Sequence, residues 1–281
     1  MMKINIICGT TKAKEFLHCN GTVVGIFDKC FNILTQSKQM LTIFNKTDRF
    51  STRGLVSEYE GSFYDLPISV NESVIIDSGK IKLANIMFNY SDMQVYETYR
   101  QPLKNIEIEE TVFEEMLEFL NKYKTNSPLI CEENLIYKKF NQGIEMLKIN
   151  KTKGFQMLVG LGIGLTPSAD DFLSGITAFF HIINYLPEFN LSLAKYLEQN
   201  GMERTSFVSC NLLKDVCQGH INEDLYNLLH SLVNKKGNIE FLTKQMIDYG
   251  STSGYETCLG IIAGYKFYKN GDLDNGSYKL C

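Results

Sequence analysis

Apolar positions in the first third of the chain come in short runs broken by turn residues. Thr22–Phe27, Phe31–Leu34, Met40–Phe44 and Phe63–Val70 are β-branched or aromatic segments of strand length. Val74–Leu83 forms a further pair of runs around Asp77-Ser78-Gly79-Lys80, a hairpin signal. Six short strands at this spacing predict a small barrel or sandwich. Arg49–Gly54 reads as a polar loop inside it.

After Gln101-Pro102 the period lengthens. Val112, Phe113, Met116, Leu117 and Leu120 recur at helical spacing between Glu107 and Lys124, with acids early and lysines late. Similar periodicity predicts helices over 133–148, 167–186, 190–200, 205–218, 222–235, 238–249 and 254–268. The expected class is α+β: an N-terminal β-rich barrel or sandwich-like domain over 1–104, then an α-helical domain over 105–281. The boundary is expected near 100–106.

The helical half contains a glycine-punctuated loop, Gly160-Leu161-Gly162-Ile163-Gly164-Leu165, followed by Thr166-Pro167-Ser168-Ala169-Asp170-Asp171. Thr166 reads as an N-cap and Pro167 as the first helical residue, because proline has no N–H to lose there. A helix start fed by such a loop offers free N–H groups and a positive dipole end to an anionic or polarised ligand. Ordinary capping accounts for Thr166, Pro167 and one acid. It does not account for three alternating glycines, each entropically costly. The spacing is neither a P-loop nor a dinucleotide fingerprint. Two adjacent acids would also repel a bare phosphate.

The pattern Gly164-x-Thr166-x-Ser168-x-Asp170-x-x-Leu173 recurs as Gly250-x-Thr252-x-Gly254-x-Glu256-x-x-Leu259. Two such helix starts can enclose one polar pocket. Alternatively, they share only the residues that helix starts commonly use. A third start, Arg204-Thr205-Ser206-Phe207-Val208-Ser209, places Thr205 and Ser209 one turn apart on one face. Arg204 reads as a carboxylate partner or a solvated surface residue. Gly219-His220 reads as a helix C-terminus. The three helix starts, at Thr166, Thr205 and Thr252, are expected to converge with Asp170, Asp171 and Glu256 near them.

Composition narrows the function. The 281 residues carry a net charge of −4, which argues against a nucleic-acid surface. Arg49, Arg53, Arg100 and Arg204 are the sole arginines, so any guanidinium clamp comes from these. Cys8, Cys19, Cys30, Cys131, Cys210, Cys217, Cys258 and Cys281 include no Cys-x-x-Cys pair. With no leader pattern at Met1, they suggest a reduced, cytoplasmic protein. His18, His181, His220 and His230 form no ligand-spaced cluster, so no metal is expected. Nor is a membrane span expected, because no apolar run is long enough.

The stretch from Gly162 to Gly175 resembles the signature of the AllH-type subunit family of oxamate carbamoyltransferase. Thr252-Ser253-Gly254-x-Glu256-x-x-x-Gly260 is similar to its second signature. The Thr205–Ser209 helix start and the β-rich first half also resemble the family layout. Two positions depart from the pattern: glycine is usual where Ala169 stands, and aspartate where Glu256 stands. The resemblance implies a step of anaerobic purine or allantoin degradation, in which oxalurate and phosphate give oxamate and carbamoyl phosphate. It implies other carbamoyltransferase subunits and a small anionic substrate as partners, and no cofactor. Asp170 and Asp171 are the expected catalytic residues. Gly162, Gly164, Thr166, Ser168, Thr205, Ser209, Thr252, Ser253 and Glu256 are the expected substrate-binding residues. Two other readings stay open. One is a non-catalytic regulatory or scaffolding subunit, suggested by the lack of a His/Cys catalytic pair. The other is a transferase for a different carbamoyl or acyl substrate.

Overall fold

The structure is a computed structural model that describes residues 1–248 and 250–270. Cys281 and the last residue of the helix expected over 238–249 lie outside the described residues. The chain divides into two compact units, Met1–Thr98 and Tyr99–Cys281.

The first unit is a barrel. Its strands are β1 (Met2–Thr10), β2 (Gly21–Ile26), β3 (Cys30–Thr35), β4 (Met40–Phe44), β5 (Gly54–Ser57), β6 (Ser73–Asp77), β7 (Lys80–Lys82), β8 (Ile86–Asn89) and β9 (Gln94–Tyr96). Eight of them follow the order β5-β4-β3-β2-β6-β7-β8-β1, and β1 closes the circle by pairing with β5. The early residues of β1 run parallel to β8 (Met2↔Ile86). Its later ones run antiparallel to β5 (Ile6↔Ser57, Gly9↔Leu55), with an irregularity between Ile6 and Cys8 inside that pairing. β9 is the extra strand, parallel to β1. Phe31, Phe63 and Phe88 fill the interior.

The hairpin at Val74–Leu83 forms as expected, with Ser78 and Gly79 both at positive φ between paired Asp77 and Lys80. That is the two-residue turn whose twist matches its strands. The segment Phe63–Val70 is not a strand. Ser62 caps a 3-10 turn over Phe63–Asp65, and Pro67 follows without an N–H for a ladder. Strands β1, β5, β8 and β9 were not anticipated. Three of these are only three or four residues long, too short to display an alternating pattern.

The second unit is helical: α2 (Glu110–Lys122), α3 (Leu135–Ile149), α4 (Lys151–Leu158), α5 (Ser168–Ile182), α6 (Pro187–Arg204), α7 (Phe207–Cys217), α8 (Glu223–Asn234), α9 (Ile239–Ile247) and α10 (Ser253–Lys269). A short helix α1 (Thr11–Lys14) belongs to the barrel unit. Helix α4 was not anticipated, because a single residue separates it from α3. Asn150 ends α3 and caps α4, its side chain accepting from the Lys153 N–H at 3.0 Å.

Helices α5 and α10 are buried nearly all round and pack closely against each other. Two glycines permit that approach. A Cβ at Gly175 would lie 2.0 Å from the Thr257 carbonyl oxygen, and one at Gly260 would lie 2.0 Å from that of Phe172. Phe172, Phe179, Phe180 and Phe267 flank the crossing in the core. Among the described residues, no helix is long and apolar enough to cross a membrane.

Candidate functional site

The close α5–α10 crossing brings the two echoing helix starts together. Thr166 Oγ1 and Ser253 Oγ lie 2.9 Å apart. The third start joins them through Asp170: Thr205 Oγ1 donates to its Oδ2, as does Ser209 Oγ at 2.7 Å. Thr205 and Ser209 therefore share a face, and that face is occupied by one carboxylate. The Gly160 N–H donates to the other oxygen, Oδ1, at 2.8 Å. The Thr166, Thr205 and Thr252 helix starts thus border one polar cluster with Asp170, Asp171 and Glu256.

The caps differ from those expected. Pro167, not Thr166, is the N-cap of α5, and its side chain makes no cap bond. The Thr166 hydroxyl is turned to Ser253 instead. Ser206 caps α7 by accepting from the Ser209 N–H, while Thr205 ends α6. Thr252 precedes α10 without a side-chain cap bond.

The α5 start does not offer its N–H groups freely. Ala169 N–H donates to the Leu161 carbonyl at 2.9 Å, and the Asp170 and Asp171 N–H groups donate to that of Pro167. The glycine loop is folded onto the helix start. Gly160, Gly162 and Gly164 all have positive φ. A Cβ at Gly160 would fall 1.7 Å from the Arg204 carbonyl oxygen, and one at Gly162 would fall 2.3 Å from the Ser168 nitrogen. Only Gly164 borders open space, at a tip where Ile163 and Leu165 are exposed. Two of the three glycines are thus required by packing, and the third by its backbone conformation. Arg204 donates to the Gln156 carbonyl and, among the described residues, reaches no carboxylate.

The acids differ in how fully they are engaged. Asp170, 1% exposed, has both oxygens bonded. Glu256, also 1% exposed, accepts from Ser127 Oγ at 2.7 Å through Oε1, while Oε2 is buried without a hydrogen bond. Asp171 Oδ2 and Ser168 Oγ are likewise buried without hydrogen bonds. Ser127, in the connection between α2 and α3, was missed in the sequence. It is 129 residues from Glu256 and has no motif around it.

Burial sets the protonation behaviour. Desolvation pushes the Asp171 carboxyl well above its ordinary range. The facing Ser253 and Thr166 hydroxyls oppose the rise, and the Glu256 and Asp170 charges add to it. Glu256 is raised by burial against the pull of the Ser127, Ser168 and Thr252 hydroxyls. Asp170 is raised by burial, opposed by its three donors. Three acids close together in a dry site favour holding a proton. Among the described residues, no group of His, Cys, Asp and Glu is arranged to hold a metal ion.

Residues 158–265 match the model of the family described as oxamate carbamoyltransferase subunit AllH. The match supports the family assignment read from the two signatures. It spans the glycine loop and the stretch from α5 through most of α10, and so every site residue above except Ser127. No solved structure matches the chain.

Proposed function

We propose that this chain, whose residues 158–265 carry the AllH family match, supplies the ureido-binding and proton-handling site of an oxamate carbamoyltransferase. The reaction is oxalurate plus phosphate giving oxamate plus carbamoyl phosphate. A phosphate oxygen bonds to the ureido carbonyl carbon, and the bond from that carbon to the oxamate nitrogen breaks. The proton lost by hydrogen phosphate must reach that leaving nitrogen. An acid with a raised pKa suits the relay, since it gives up a proton readily and regains it at neutral pH.

The observation that carries this reading is the set of unengaged polar atoms. Asp171 Oδ2, Glu256 Oε2 and Ser168 Oγ are buried without a hydrogen bond of ordinary length, although the Ser168 hydroxyl is near enough to act on Glu256, and those of Ser253 and Thr166 on Asp171; buried polar groups ordinarily have full partners. The two carboxyl groups and the hydroxyl accept hydrogen bonds, so they suit the N–H-rich edge of a ureido or carboxamide group. Asp171 is the proton carrier. Glu256 and Ser168 orient the N–H groups, with Ser127 positioning Glu256. Asp170 is a positioning residue, because its oxygens are committed to Gly160, Thr205 and Ser209. Thr166, Ser253 and Thr252 border the cluster, and Gly162 and Gly164 belong to the loop that leads into α5.

The test mixes the purified chain with oxalurate and phosphate, alone and with the other subunits of the complex. Carbamoyl phosphate formation that requires this chain and falls with Glu256→Gln supports the reading. A complex equally active without the chain overturns it.

A further inference from the structure

The acid cluster is unsuited to the second reactant. An acid cluster offers acceptors rather than the donors phosphate needs, and the Ala169, Asp170 and Asp171 N–H groups at the α5 start are engaged by Leu161 and Pro167. The opposite charge character appears in a cavity that Gly160 also lines. This cavity of about 590 Å³ is lined by Lys139, Gln142, Gln156, Gly160, Leu161 and Arg204, among others, with no carboxylate of the described residues in its wall. A second cavity of about 670 Å³ shares Gln156 and Arg204 with it and adds Lys195, Gln199 and Asn200, again with no carboxylate.

What sets these cations apart is that they share one stretch of surface whose lining, among the described residues, holds no acid. Lys148, Lys151, Lys235, Lys244 and Lys269 each sit against a carboxylate. Lys139, Lys195 and Arg204 have no carboxylate partner among the described residues. The groove is also tied covalently and sterically to the cluster. Gly160 lines the cavity and gives its N–H to Asp170. Arg204 precedes Thr205, which donates to the same carboxylate.

We propose that the groove around Lys139, Arg204 and Lys195 is an oxyanion-binding site, for a phosphate or for the carboxylate of an oxamate-like molecule. The proposal rests on the carbamoyltransferase reading for its pairing with the acid cluster, but its binding test does not. Ammonium, guanidinium and amide donors without competing acids are the equipment for such a ligand, and a guanidinium can engage two oxygens at once.

Inorganic phosphate and oxamate are titrated separately into the full chain by calorimetry, at low and high ionic strength. One of them is expected to bind, more weakly at high salt. Lys139→Gln with Arg204→Gln should raise the Kd by at least about tenfold. Both side chains are exposed, and circular dichroism checks that the fold persists. Binding of phosphate identifies a phosphoryl ligand, and binding of oxamate alone identifies a carboxylate; both keep the oxyanion site. No binding of either, or binding untouched by the substitutions, overturns it. Asp171→Asn separates the two readings, since it should abolish turnover while leaving oxyanion binding unchanged.

Discussion

Thr166 and Ser253, 87 residues apart, touch through their hydroxyls at 2.9 Å. The contact joins the loop before α5 to the first residue of α10. It should behave as one ordinary hydrogen bond in a shared network. Thr166→Ala and Ser253→Ala in a double-mutant cycle are expected to show a coupling of about 1 kcal/mol in urea denaturation. Strict additivity would show that the two hydroxyls do not interact.

Asp170 should matter more to stability than either hydroxyl it receives. Asp170→Ala leaves the Gly160 N–H and the Thr205 and Ser209 hydroxyls without their acceptor. Unmet buried donors cost about 1–3 kcal/mol each, so a loss of roughly 3 kcal/mol or more is expected. Ser209→Ala should cost less than half of that. Equal effects would mean that Asp170 is not the hub.

Much of this architecture was legible in the sequence. Asp170, Thr205 and Ser209 stood out because hydroxyl and acid sat at helix starts, and the Gly164/Gly250 echo marked two segments that do meet. The local bonding was less legible. Thr166 looked like a cap, yet it serves a tertiary contact, because Pro167 takes the cap position. Ser127 was invisible, since nothing in its surroundings encodes a contact with Glu256. In the barrel, Val74–Leu83 declared its turn through Ser78-Gly79, whereas β5 is four residues whose partners, β1 and β4, are not joined to it by a tight turn.

The helix crossing makes a steric prediction. In Gly260→Ala, the new Cβ would meet the Phe172 carbonyl oxygen at 2.0 Å, a backbone atom that cannot rotate away. Overpacking of this kind costs about 1–3 kcal/mol, and the displaced α10 should carry Ser253 and Glu256 with it. A lowered Tm together with reduced activity is expected. An unchanged Tm would show that the helices can separate without penalty.

Stability should also depend on pH through Asp171. Its folded-state pKa is raised above the ordinary 3.8, so the folded protein binds a proton that the unfolded chain releases more readily. The stabilising contribution is present at low pH and is lost as pH rises through the folded value. Compared with Asp171→Asn, the wild type should therefore lose stability as pH increases above about 4. Parallel pH profiles for the two proteins, measured by urea denaturation, would contradict the raised pKa.

The proton-carrying role of Asp171 is tested by carbamoyl phosphate formation from oxalurate and phosphate in the reconstituted complex, with wild-type chain or Asp171→Asn. Asparagine keeps the size of the side chain and removes the transferable proton. The expected result is a rate reduced by at least about a hundredfold, the usual minimum contribution of general acid–base catalysis, with an intact circular dichroism spectrum. A folded Asp171→Asn chain supporting the wild-type rate would contradict the assignment of the proton-handling site to this cluster.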